Sequence, residues 1–229
     1  MAKDVIVACD FPNGEELEAF LEKMPRDVFI KIGLELYLRE GRGLVRALKE
    51  RGYRIFLDLK LHDIPNTVGR SVANLRELAP DFLTLHTTGG RDMMAAAARD
   101  AGDMGLLGVT VLTSLSDEMR KGELHLGEGF STEDYVVHLA GLALEEGIRG
   151  IVASPLEGRA LRRALGHDFD LVCPGIRPVK KEGDDQARTM TPKEAREAGV
   201  DYIVVGRPIT QAADPKAAYL EILAEFLGE

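Results

Sequence analysis

The sequence predicts an α/β fold, a single (β/α)8 TIM barrel, on three observations. Short apolar or β-branched runs alternate with longer amphipathic segments along the whole chain. There are eight such runs, and the 229 residues suit one barrel, which commonly takes about 200–250 residues. Hydrophobic residues make up 45% and charged residues 29%, enough apolar surface for a large core.

The predicted strands are Val5 to Cys9, Val28 to Ile32, Arg54 to Leu59, Phe82 to Leu85, Leu106 to Leu112, Gly150 to Ala153, Leu171 to Cys173 and Tyr202 to Val205. Helices fill the intervals. Leu44 to Arg51 stops at Gly52, and a helix starting at Thr191-Pro192 ends near Gly199, the usual placing of proline at a helix start and glycine past its end. Pro215 to Leu227 follows Asp214 as an N-cap and carries apolar residues at helical spacing, so it closes the outer ring. No linker, sequence repeat or low-complexity tract interrupts the series, and one domain over 1–229 is expected.

Two connections are long and polar, Ser114 to Ser131 after the fifth strand and Ile176 to Met190 after the seventh. Both follow strand C-termini, where a barrel builds its active face, and both are candidate ligand loops.

The net charge of −9 argues against a broad nucleic-acid or anionic-membrane surface, which needs clustered Lys and Arg. It leaves room for a small anion held by a few local cations and backbone N–H groups. Cys9 and Cys173 sit in apolar runs, as buried thiols do, and show no metal-type spacing. With no charged and apolar leader and no apolar stretch of about 18 residues, a cytoplasmic location is expected.

Asp58-Leu59-Lys60-Leu61-His62-Asp63-Ile64-Pro65-Asn66-Thr67 is the most informative stretch. Strand periodicity puts Asp58 and Lys60 on one face, Leu57 and Leu59 on the other, with both charges at the barrel mouth. Asp63 follows in a turn and Pro65 suits a first helical turn. Buried charges need partners, so either a structural ion pair or catalysis accounts for Asp58 and Lys60. Lys31 is the one charge in Val28 to Gly33, and Asp10 ends the first strand, so four charges from three adjacent strands face one mouth. Across the barrel, Pro174-Gly175-Ile176-Arg177-Pro178 and Val205-Gly206-Arg207-Pro208 end the last two strands. Loops there often hold phosphate, glycine letting N–H groups approach and arginine binding bidentately. His86, ending the fourth strand, reads as a hydrogen-bonded support.

On these residues the chain resembles the orotidine 5′-monophosphate decarboxylase family, in its bacterial form, over essentially its whole length. The resemblance rests on the Asp-x-Lys-x-x-Asp-Ile-Pro-Asn-Thr run from Asp58 to Thr67, on Asp10, and on Lys31 within Ile30-Lys31-Ile32-Gly33. Leu112-Thr113-Ser114, Pro174 to Pro178, Gln186 and Gly206-Arg207-Pro208 complete it in order. It implies a homodimer that converts orotidine 5′-monophosphate to UMP and CO2 without metal or organic cofactor. Lys31, Asp58 and Lys60 would act in one site, with Asp63, and Ile64 and Thr67 beside it, reaching into the partner's. Asp10 and Lys31 would contact ribose hydroxyls, Thr113 would bind substrate, and Arg177, Gln186, Gly206 and Arg207 would grip the phosphate. Val179 to Gln186, with Gly183 as hinge, would form a lid. Lys60 would stabilise the C6 carbanion and protonate it.

A magnesium-dependent sugar-phosphate decarboxylase or aldolase is the nearest alternative, since it uses a similar Asp-x-Lys-x-x-Asp strand end. It needs an acidic metal ligand near the second strand, where Lys31 has the wrong charge and Glu35 is the nearest acid. A phosphate-ligand sensor would account for the arginines but not for the charged strand ends.

Overall fold

The computed structural model describes residues 3–126, 128–178 and 189–229. Eight parallel strands close in sequence order: β1 (Asp4–Ala8), β2 (Phe29–Gly33), β3 (Arg54–Leu61), β4 (Phe82–His86), β5 (Gly105–Val109), β6 (Gly150–Val152), β7 (Asp170–Cys173) and β8 (Tyr202–Val205). β8 returns to pair with β1, so no strand edge is left open. All eight predicted strands are present. β5 ends three residues early because its partner β6 is only three residues long, and Val111 and Leu112 pass instead into the barrel mouth.

The helices around the barrel are α1 (Gly14–Leu21), α2 (Leu34–Glu50), α3 (Pro65–Arg76), α4 (Arg91–Ala101), α5 (Thr132–Glu145), α6 (Gly158–Leu165), α7 (Pro192–Glu197), α8 (Arg207–Thr210) and α9 (Pro215–Leu227). Their ends follow the local chemistry. Thr191 and Glu194 form a reciprocal capping box before α7, and Asp214 accepts from Ala217 N at the start of α9. α2 begins ten residues before the expected Leu44 and is broken at Gly41, whose φ of 67° only glycine adopts cheaply.

Strand alternation sorts side chains into two cores. Outward positions such as Ile30, Ile32, Leu57 and Leu83 pack under the helices. Inward positions stack in layers. Asp4, Arg54, Asp170 and Tyr202 start their strands, and Arg54 pairs with Asp4 at 2.6 Å while its guanidinium lies 4.1 Å from the centre of the Phe29 ring. Above them Ile6, Phe29, Phe56, Phe82, Leu107, Val172 and Val204 fill the interior as a dry plug. Two residues further along each strand, the inward positions reach the mouth.

A buried pair between Arg162 on α6 and Asp201, just before β8, ties this quarter of the barrel together. Arg162 also donates to Gly199 O at 2.9 Å, and Asp201 accepts from Leu171 N at 2.8 Å, so both charges are well provided with partners. Cys9 and Cys173 are free and buried. Among the described residues no helix is long and apolar enough to cross a membrane.

Candidate active site

The expected charges meet at the C-terminal ends of β1 to β3. On β2, Lys31 follows Phe29 on the inward face; its side chain is only 10% exposed. Lys31 Nζ donates to Asp10 Oδ1 at 2.7 Å and lies 3.7 Å from Asp58 Oδ2. The other oxygen of that carboxylate, Asp58 Oδ1, accepts from Lys60 Nζ at 2.8 Å. Asp10, Lys31, Asp58 and Lys60 thus form a continuous series of alternating sign.

Burial opposes charge on Lys31, but Asp10 and Asp58 outweigh it and raise its pKa above the ordinary 10.5. Burial likewise opposes ionisation of Asp58, yet Lys31 and Lys60, with hydrogen bonds from Lys60 and Thr84, bring its pKa below 3.8. At neutral pH the pair is charged.

The strand is distorted at Lys60. β3 and β4 pair regularly at Leu57↔Leu83 and resume at Leu61↔Leu85, so Asp58, Leu59 and Lys60 face the single residue Thr84. Lys60 takes φ of 50°, a left-handed conformation that is unfavourable for a residue with a Cβ. Thr84, fully buried, accepts from Lys60 N at 2.9 Å and donates to Asp58 Oδ1 at 3.0 Å.

The series borders a cavity of about 770 Å3, within the size range of small-ligand sites. Asp10, Lys31, Asp58 and Lys60 form one wall; Pro174, Gly175, Arg177, Gly206 and Arg207 form the other. Val109, Val111, Val152 and Ala153 lie between, and Thr113 is on the rim. Gly175 has φ of 81°, a turn that glycine permits and that brings the backbone to the cavity. Arg207 opens α8, and Arg177 Nη1 donates to Ile176 O at 3.0 Å. The alternating charges at the ends of β1 to β3 and the glycine- and arginine-bearing turns after β7 and β8 therefore share one cavity with apolar side chains between them.

Other expected residues are elsewhere. Asp63, Ile64 and Thr67 are exposed and do not line the cavity of this chain; Asp63 Oδ1 accepts from Ile64 N at 2.6 Å. Gln186 and the Val179 to Gln186 segment with Gly183 lie outside the described residues. The described residues of Ser114 to Ser131 contribute nothing to the cavity wall, against expectation. This connection closes on itself instead: Arg120, 1% exposed, donates to Leu126 O at 2.6 Å, Phe130 O at 3.0 Å and Thr132 Oγ1 at 3.3 Å. Glu35 is exposed in the first turn of α2 and also stands apart from the cavity.

Sequence reasoning missed several lining residues. Phe11, Pro12 and Glu16 come from the β1–α1 connection and α1, Thr210 from α8 and Gln211 from just beyond it. Phe11 packs against Phe20 with the rings tilted, 5.1 Å between ring centres. Its place directly after Asp10 was the available signal. His86 is half-buried, its ring 5.4 Å from that of His62. Burial first, then His62 and Lys60, lower its pKa from 6.5.

The same barrel occurs in other proteins. The family model for the orotidine 5′-phosphate decarboxylase / HUMPS family matches residues 3–222. The chain belongs to the orotidine 5′-phosphate decarboxylase / HUMPS family. Orotidine 5′-phosphate decarboxylase of Opitutus terrae is 48% identical over 99% of this chain and 99% of its own. That of Streptococcus agalactiae serotype V is 46% identical over 99% and 98%. The crystal structure of orotidine 5′-phosphate decarboxylase from Lactobacillus acidophilus superposes with a TM-score of 0.88 at 43% identity, covering 98% of this chain and 99% of that one. Membership in the decarboxylase family thus covers the whole barrel, both walls of the cavity included.

Proposed function

We propose that the protein decarboxylates orotidine 5′-monophosphate to UMP and CO2 in pyrimidine biosynthesis. The observation that carries this reading is the alternating series Asp10–Lys31–Asp58–Lys60, set against a glycine- and arginine-bearing wall in one cavity. The curated relatives named above as orotidine 5′-phosphate decarboxylases, alike over nearly the full chain, support the same substrate.

Breaking the bond from pyrimidine C6 to its carboxylate leaves the electron pair on C6, where no ring carbonyl delocalises it well. The Lys60 ammonium faces that charge and lowers the barrier electrostatically. It then gives its proton to C6, forming UMP, and regains one from water. Asp58 orients Lys60 and crowds the departing carboxylate, a lesser contribution. Asp10 and Lys31 take the ribose hydroxyls and Thr113 the substrate nearby. Arg177, Gln186, Gly206 and Arg207 take the phosphate, whose binding energy organises the charged wall. No metal or organic cofactor enters the scheme.

A homodimer completes the site, with Asp63, Ile64 and Thr67 entering the partner's cavity. Supporting this, Leu34, Leu38 and Ile64 follow the ends of β2 and β3 and are 50%, 74% and 65% exposed. Apolar side chains so placed beside a mouth suit a subunit contact. A soluble cytoplasmic location fits such an enzyme.

A spectrophotometric assay on orotidine 5′-monophosphate with EDTA present tests the reading. Turnover is expected to persist in EDTA and to fall by several orders of magnitude in Lys60→Ala. Mixed dimers of Lys60→Ala and Asp63→Ala subunits are expected to recover some activity through one intact hybrid site. Loss of turnover on chelation would favour the magnesium-dependent sugar-phosphate alternative, and an active Lys60→Ala would remove Lys60 from the chemistry.

A further inference from the structure

The register change in β3 raises a question of accounting. Three residues, Asp58 to Lys60, stand opposite Thr84 alone, so regular ladder bonding cannot satisfy every backbone group in the insertion. Lys60 N–H finds its acceptor in a side chain, Thr84 Oγ1 at 2.9 Å. The direction of the next bond is then fixed. A carboxylate only accepts, so the threonine hydroxyl must give its proton to Asp58 Oδ1, 3.0 Å away, while its lone pair receives the Lys60 amide.

One hydroxyl thereby joins the backbone of Lys60 to the side chain of Asp58. The Asp58 Oδ1 atom it touches is the one that accepts from Lys60 Nζ. The three groups close a small ring: Lys60 amide to Thr84, Thr84 to Asp58, and Asp58 to the Lys60 ammonium. Thr84 is 0% exposed and is not part of the cavity wall, so it meets no substrate. Its influence passes entirely through the two charged residues. The ring also holds Lys60 at its positive φ, a conformation that persists only when its surroundings enforce it.

We propose that Thr84 is a positioning residue for the reaction: through one hydroxyl it locks the Asp58 carboxylate and the bulged Lys60 backbone in the arrangement that aims the Lys60 ammonium into the cavity. This rests on the decarboxylase reading of the site. Side-chain volume is secondary. Valine would keep the branched shape and lose both bonds, while serine would keep both bonds and lose only a methyl group.

The test compares Thr84→Val with Thr84→Ser at 25 °C, with folding followed by circular dichroism. For Thr84→Val, kcat is expected to fall about ten- to a hundredfold, the scale of a lost hydrogen bond to a charged group, with KM within about threefold. Thr84→Ser is expected to stay within about threefold of wild type in both. Exchange of the Lys60 amide hydrogen should quicken at least about tenfold in Thr84→Val and not in Thr84→Ser. If Thr84→Val does not yield folded protein, Thr84→Cys, a weak donor of serine's shape, takes its place with the same expected loss. A valine variant with undiminished kcat, a serine variant as impaired as valine, or a loss confined to KM would each overturn the role of Thr84. A wild-type protein that releases no CO2 from orotidine 5′-monophosphate would instead overturn the decarboxylase reading, and with it the catalytic meaning of the ring.

Discussion

Lys31 and Asp58 reach each other from adjacent strands, Nζ to Oδ2 at 3.7 Å, although their Cα atoms are not register partners; Asp58 pairs with Gly33. Gly33 suits this crowded corner: a Cβ on it would lie 3.2 Å from Lys31 Nζ and 3.0 Å from Asp10 Oδ1, a tight fit. The pair is well shielded, with side chains 10% and 14% exposed.

Replacing Lys31 by Met should therefore destabilise the fold by about 3 kcal/mol, because a buried carboxylate loses one of its two cations. The effect has a defined pH window. The pKa of Asp58 lies below 3.8 in the folded state, so its contribution is present above that value and disappears as pH falls through the lowered one. The pKa of Lys31 lies above 10.5, so its contribution is present below that value and disappears as pH rises through the raised one. Urea unfolding of both proteins across pH should show a difference that is flat in between and shrinks at each extreme. A difference that widened toward acid would contradict the pairing.

His86 supplies a second pH signature. Burial, then His62 and Lys60, depress its pKa below 6.5, so the stability tied to its neutral form is complete above 6.5 and is lost as pH drops through the depressed value. Thermal melts from neutral pH to about pH 5 should fall less steeply for His86→Gln than for wild type. Equal slopes would mean that His86 is not the group concerned.

Arg120 should matter to stability more than any exposed charge of its connection. Besides the hydrogen bonds described above, its guanidinium lies 5.4 Å from the centre of the Tyr135 ring. Arg120→Ala is expected to cost about 2–4 kcal/mol and to open 114–131 to limited proteolysis. Arg120→Lys should recover less than half of this, since an ammonium lacks the planar fork that serves several acceptors at once. Unchanged cleavage in Arg120→Ala would show that the connection is held by other contacts.

Much of this was legible in the residues. Apolar runs of strand length gave the barrel, and period-two spacing put Asp58 and Lys60 on one face, where the ion pair joins them. Lys31 stood out as a lone charge in an apolar run. What alternation cannot register is its own interruption: the bulge at Lys60 and the hydroxyl of Thr84 depend on how β3 and β4 slide past each other. Ser114 to Ser131, expected as a ligand loop, is absent from the cavity wall in its described residues for a related reason. Polarity and length look alike in a ligand loop and in one folded around a buried arginine, and only the destination of Arg120 separates them. Asp63, Ile64 and Thr67 face outward from this chain, so their proposed task requires a second copy that one sequence does not depict.

The aromatic and aliphatic plug below the charged wall has a consequence for traffic. Phe29 and Phe56 are 1% and 2% exposed, and Arg54 closes over Phe29 from beneath, so the barrel is a cup and not a tube. Whatever enters by the mouth must leave by it. Carbon dioxide and nucleotide would share one doorway, and each departing product would have to clear it before the next molecule could come in.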